Sequence, residues 1–93
     1  MDARFYVDLE TGLPHIYNHG VTEAEVLEVL RKSGPVYRGD RESRTKSGQT
    51  DRRYIQVVYS PDPGAVSVFV ITAYPLKGKA RKAYRRRERR RRR

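Results

Sequence analysis

The chain contains no cysteine and no tryptophan, and its single methionine is Met1. Without cysteine, disulfide staples and thiolate chemistry are both excluded, and nothing points to an oxidising compartment, so the cytoplasm is the expected location. No apolar run approaches the roughly 20 residues that span a bilayer. Asp2, Asp8 and Glu10 also stand where a secretory signal would carry a basic start and an apolar core. Membrane is therefore not expected as a partner, since the basic end of the chain has few large apolar side chains to insert beside its charges. No Gly-x-Ser-x-Gly elbow and no glycine-rich phosphate cradle occurs. The only histidines, His15 and His19, lack a third ligand in the sequence around them, so no metal and no other cofactor is expected.

The net charge is distributed unevenly. The whole chain of 93 residues carries +10; Lys79 to Arg93 holds 11 Lys or Arg against Glu88, while Met1 to Gly78 balances 10 against 10. A segment of that kind suits a polyanion, because each phosphate neutralised by Lys or Arg releases a condensed counterion and so adds affinity without reading sequence. Nucleic acid is the first partner class this suggests, and a solvated tail that clings to any polyanion is the plainer alternative.

Along the chain, Arg4 to Val7 is β-prone and suits an edge strand, followed by a turn over Asp8 to Gly12. Pro14 suits the start of a short helix reaching Tyr17 or Asn18, with Gly20 closing it in a left-handed conformation. Thr22 and Glu25 form a capping box, with Val21 and Val26 as its hydrophobic staple. The helix they open presents Val26, Leu27 and Leu30 on one face and stops at Gly34-Pro35. Val36-Tyr37 is a short strand candidate. Arg38 to Asp51 has no apolar residue and reads as a loop, or as an exposed hairpin turning near Ser47-Gly48. Tyr54 to Tyr59 alternates like a strand. After dense turn chemistry at Ser60 to Gly64, Ala65 to Tyr74 reads as a longer strand apolar on both faces. A turn at Lys77 to Lys79 leads into a helix from Ala80 to about Arg87. The expected fold is α+β: a small antiparallel sheet of three to four strands packed by N-terminal helices, with a basic C-terminal helix or tail. Residues 1–84 form one domain in this reading and 85–93 an arginine-rich tail.

RNA cleavage without metal needs a base for the 2′-hydroxyl proton, an acid for the leaving oxygen and cations for the charged transition state. Arg53 opens the first long strand and Tyr74 closes the second, so Arg52 and Arg53 are expected near Thr72 to Tyr74, with Lys77, Lys79, Arg81 and Arg85 following. Tyr54, Tyr74 and Tyr84 suit stacking on unpaired bases, and equally suit ordinary packing. His15 and His19 share a helix face, and each also has a structural reading as a capping or hydrogen-bonding group.

At these residues a resemblance enters. His15 to Thr22, then Gly48-Gln49-Thr50 and Arg53-Tyr54, then Phe69 to Tyr74 with Gly78-Lys79 and Ala83 to Arg87, resemble a family of short bacterial proteins related to the BrnT-like toxins, within the RelE/ParE-like toxin superfamily. The similarity runs from about Phe5 to Arg87, and Val70 to Tyr74 followed by the basic segment is its most specific part. It implies a ribonuclease of a type II toxin-antitoxin system, acting on RNA with or without the ribosome and neutralised by an acidic antitoxin. Carried over by position, Arg53, Tyr74, Lys79, Arg85, His15 and His19 are the implied catalytic groups. Arg52, Tyr54, Lys77, Arg81, Lys82, Tyr84, Arg86 and Arg87 are the implied RNA-contacting ones. Gly12-Leu13-Pro14 departs from the family pattern and shortens the first helix. A non-catalytic nucleic-acid-binding module is the alternative function, and self-association into a homo-oligomer is left open.

Overall fold

The computed structural model describes residues 2–51, 53–63 and 66–91. Its architecture is α+β, in the order β1 (Asp2–Phe5), a 3-10 helix (His15–His19), α1 (Glu23–Arg31), β2 (Val36–Arg38), β3 (Arg44–Gln49), β4 (Tyr54–Pro61), β5 (Ser67–Pro75) and α2 (Gly78–Arg91). The sheet has five strands in the order β1-β5-β4-β3-β2. It is mixed, because β1 runs parallel to β5 while every other pair is antiparallel. The expectation of three to four antiparallel strands therefore holds at the level of class but not of strand count or direction. The expected start of β5 at Ala65 lies outside the described residues.

The additional strand is β3, in the segment that reads as loop from its lack of apolar residues. The turn of this hairpin falls at Asp40 to Ser43, where the Ser43 N–H donates to the Asp40 carbonyl, and Ser47-Gly48 lies inside the strand. A polar strand is stable here because β3 is flanked on both sides, by β2 and by β4. Two residues fit it to the helix above. Gly48 leaves room for Val29, whose Cγ1 would stand only 3.3 Å from an added Cβ. Lys46 is buried, and its Nζ donates to the carbonyls of Leu30 and Lys32, groups that the end of α1 leaves without helical partners. Burial pushes the Lys46 amine down.

The capping box at Thr22 and Glu25 is formed in both directions, and Gly20 closes the 3-10 helix with φ 71°. Val26, Val29 and Leu30 of α1 and Ile16 of the 3-10 helix pack onto Ile55, Val57, Val70 and Ala73, which makes one core on one face of the sheet. Strand β5 contains a bulge: Val58 pairs Thr72 and Tyr59 pairs Val70, so Ile71 is an extra residue. Strand alternation is interrupted there, with the result that Val70 and Ala73 both face the core. Tyr74 falls on the opposite face, beside its register partner Gln56.

Candidate nucleic-acid interface

Helix α2 lies against that opposite face. Its composition resists folding, because Arg85 and Arg89, Arg86 and Arg90, and Arg87 and Arg91 are like charges one turn apart. Ala80, Ala83 and the long basic side chains have good helix propensity, and two contacts offset the repulsion. Glu88 accepts from Arg91 Nε and Nη2 at 2.9 and 3.0 Å, and Tyr84 is buried with its ring 5.3 Å from that of Tyr54. The helix runs through Tyr84 and Arg85 without a break, and Arg92 and Arg93 lie outside the described residues.

With successive residues turned by about 100°, the cations of α2 divide into two sets. Arg81 stands 5.3 Å from the centroid of Tyr54, Arg87 stands 5.8 Å from that of Tyr37, and Arg91 is held by Glu88. These three are committed to the protein. Lys79, Lys82, Arg85, Arg86, Arg89 and Arg90 are exposed, and among the described residues none of them forms an ion pair. Lys77, just before the helix, is exposed as well. Beside the helix is an open groove of about 460 Å³ whose lining includes Lys32, Gln49, Tyr54, Tyr84, Arg85 and Arg89.

The tyrosines do not all sit as base-stacking platforms would. Tyr84 is buried, and Tyr54 is covered by Tyr84 and by Arg81, so both serve to dock α2. Tyr37, which sequence reasoning placed only as a strand residue, is half-exposed beside Arg87.

Arg53 does not join Tyr74. Strand register puts Gln56 opposite Tyr74, and the Leu76 N–H already reaches the Tyr54 carbonyl, so Arg53 lies beyond the end of the pairing. Its guanidinium turns toward α1, where Nε and Nη2 donate to the two Glu25 oxygens at 3.0 and 2.8 Å and Nη2 also reaches the Gly20 carbonyl. The same Glu25 carboxylate closes the capping box and accepts from Thr50. Arg53 beside it, with the Thr22 backbone and Thr50, holds the Glu25 carboxyl down at about 2, and the Arg53 pKa is raised in return. Arg53 thus ties α1 to the start of β4. Arg52 lies outside the described residues.

Tyr74 instead meets the histidines. Its hydroxyl accepts from Gln56 Nε2 at 2.7 Å, and Ser47 donates to Gln56 Oε1 at 3.1 Å. The ring of His19 is 6.1 Å from that of Tyr74, His15 is 5.3 Å from His19, and Tyr6 is 5.9 Å from His15. Asp8 faces His15 Nδ1 at 3.0 and 3.2 Å and accepts from Asn18 at 2.6 Å. Sequence reasoning placed Asp8 only in a turn; the one available signal was that the turn brings residue 8 back toward residue 15. Among the described residues no group of three or more His, Cys, Asp or Glu is placed to hold a metal ion, and no helix is long and apolar enough to cross a membrane. Comparison with protein-family models, with curated proteins and with solved structures gives no match.

Proposed function

We propose that the protein binds single-stranded RNA along α2. The observation that carries this reading is the row of exposed cations Lys79, Lys82, Arg85, Arg86, Arg89 and Arg90 on one helix, of which Arg85 and Arg89 border the open groove. Such a surface takes up phosphates and releases counterions, and it supplies affinity with little sequence preference. Arg81, Tyr54 and Tyr84 hold the helix in place, while Tyr37, with Arg87 over its ring, remains half-exposed beside the helix as an aromatic group for a base. Fluorescence anisotropy with a labelled single-stranded RNA and with its duplex tests the proposal. Tighter binding of the single strand, weakened when Arg86 and Arg89 are neutralised, supports it, and equal binding by wild type and variant argues against it.

A second reading, metal-independent RNA cleavage by a toxin of the RelE/ParE-like kind with an acidic antitoxin as partner, is favoured by one observation: two imidazoles and a tyrosine ring stand in a row at His15, His19 and Tyr74. In this reading Arg85 stays on the groove with Lys32 and Tyr54 and serves capture, and Arg53 acts only through α1. Arg53→Ala is then a poor test, because it removes the partner of Glu25. His15→Ala and Tyr74→Phe are better ones, scored by growth after inducible expression in a bacterium and by total RNA on a gel. Arrest with fragmented RNA, relieved in both variants, supports cleavage; normal growth with intact RNA leaves the binding module.

A further inference from the structure

The loop between β1 and the 3-10 helix is closed by backbone bonds at both ends. The Asp8 N–H donates to the Leu13 carbonyl at 3.0 Å, the Gly12 N–H donates to the Asp8 carbonyl at 2.8 Å, and the His15 N–H donates to the Tyr6 carbonyl at 2.8 Å. These bonds fix Asp8 and His15 relative to each other, and Asn18 fixes the carboxylate by donating to Oδ2. Asp8 and His15 keep only 19% and 31% of their side-chain surface, enough for His15 to remain reachable from solvent.

We infer that Asp8 is a positioning residue that keeps the proton of neutral His15 on Nδ1, leaving Nε2 to act as the base toward an RNA 2′-hydroxyl. The inference rests on the cleavage reading above. An ionised carboxylate can only accept, so a neutral imidazole held against it must donate from Nδ1, and its second nitrogen is bare. The groups facing His15 are Asp8, Asn18, Tyr6 and His19, with Tyr74 beyond His19. In the reaction the 2′-oxygen attacks phosphorus and its proton passes to His15 Nε2. The phosphorus–O5′ bond breaks, and protonated His19 gives its proton to the departing O5′. The two ring centroids are 5.3 Å apart, edge to face, so both imidazoles border the same site. The products are a 2′,3′-cyclic phosphate and a 5′-hydroxyl. Asp8 stabilises the His15 imidazolium that forms.

Asp8→Asn makes a sharp test. The Asn18 amide donates to one carboxylate oxygen, so the replacement amide turns its oxygen to Asn18 and its NH2 to His15 Nδ1. The proton then moves to Nε2, the wrong tautomer for a base. Three measurements on the full chain decide the matter: imidazole nitrogen chemical shifts, the rate of cleavage of a single-stranded RNA, and binding of the same RNA with 2′-deoxy residues, which cannot react. Expected are a bare Nε2 at His15 that becomes protonated in Asp8→Asn, and a loss in kcat of about a hundredfold to ten-thousandfold with unchanged binding. Thr11→Ala removes the hydroxyl that accepts from the Leu13 N–H in the same loop and should change none of these. Wild-type cleavage that Asp8→Asn leaves intact, or a His15 proton already on Nε2, overturns the inference alone. Binding without wild-type cleavage overturns the cleavage reading and the inference with it, and absence of binding overturns the RNA-binding proposal too.

Discussion

Neutralising Arg86 and Arg89 together with glutamine separates electrostatic capture from every other source of affinity, because both are exposed on α2 and neither docks the helix. The 14 residues of α2 span about 21 Å, and the six outward cations are distributed along that length. For a single strand, log K falls against log salt with a slope of about −0.7 per neutralised phosphate, so six contacts give about −4, and raising salt from about 50 to about 200 mM weakens binding roughly 300-fold. With the two arginines removed, four contacts give a slope of about −3 and a loss of roughly 50-fold over the same interval. Anisotropy titrations of a labelled single-stranded RNA at four or five salt concentrations supply both slopes. A wild-type slope shallower than about −1.5, or a double variant with the wild-type slope, would refute the assignment of these side chains to phosphates. Replacing Arg81 and Arg87 by glutamine is the internal comparison. Those two stand over Tyr54 and Tyr37, so their loss should lower the melting temperature more than it alters the salt slope.

Glu25→Gln should destabilise the protein at neutral pH and become harmless in acid. A carboxyl held at about 2 in place of 4.5 stabilises the folded state above pH 4.5 and loses that contribution as pH falls toward 2. After screening at the partly exposed Arg53 it amounts to about 1–2 kcal/mol, read as the gap between wild-type and variant melting temperatures at pH 7 and pH 3. A gap as large at pH 3 as at pH 7 would show that the charge of Glu25 is not its source. Lys46→Met strands the Leu30 and Lys32 carbonyls at the end of α1 and should cost about 1–3 kcal/mol in urea unfolding. Gly48→Ala brings a Cβ to 3.3 and 3.4 Å from the two Val29 methyls. It should cost about 1 kcal/mol, of which Val29→Ala in the same chain recovers part.

Local chemistry made α1, the 3-10 helix and β4 readable, because the Thr22–Glu25 box, Gly20 and the alternation from Tyr54 to Tyr59 act within a few residues of themselves. What escaped depends on contacts distant in sequence. Strand β3 has no apolar signature because the neighbours that stabilise it are backbone ladders on both sides, together with Lys46 and Gly48 beneath α1. The parallel pairing of β1 with β5 joins residues more than 60 apart. The basic helix was visible in composition, and its division into inward and outward cations follows only once Tyr84 is known to be the docking residue. Arg53 and Tyr74 were expected together on strand adjacency, and that argument fixes which end of the sheet a residue occupies but not which face it takes.

That face is decided by the bulge at Ile71. The bulge absorbs this one extra residue; were Ile71 instead paired in a regular ladder, every residue after it would move one place, so Ala73 and Tyr74 would exchange sides: a phenol would enter the core while a methyl group stood beside Gln56. The row of rings from Tyr6 to Tyr74 would lose its last member without any of its residues having been mutated. The bulge, and not the residue that fills it, therefore sets the face of everything from Thr72 onward: removing Ile71 would leave Ala73 inward and Tyr74 outward in an unbroken ladder, whereas one residue added there has to be absorbed by a wider bulge or it turns the end of β5 over.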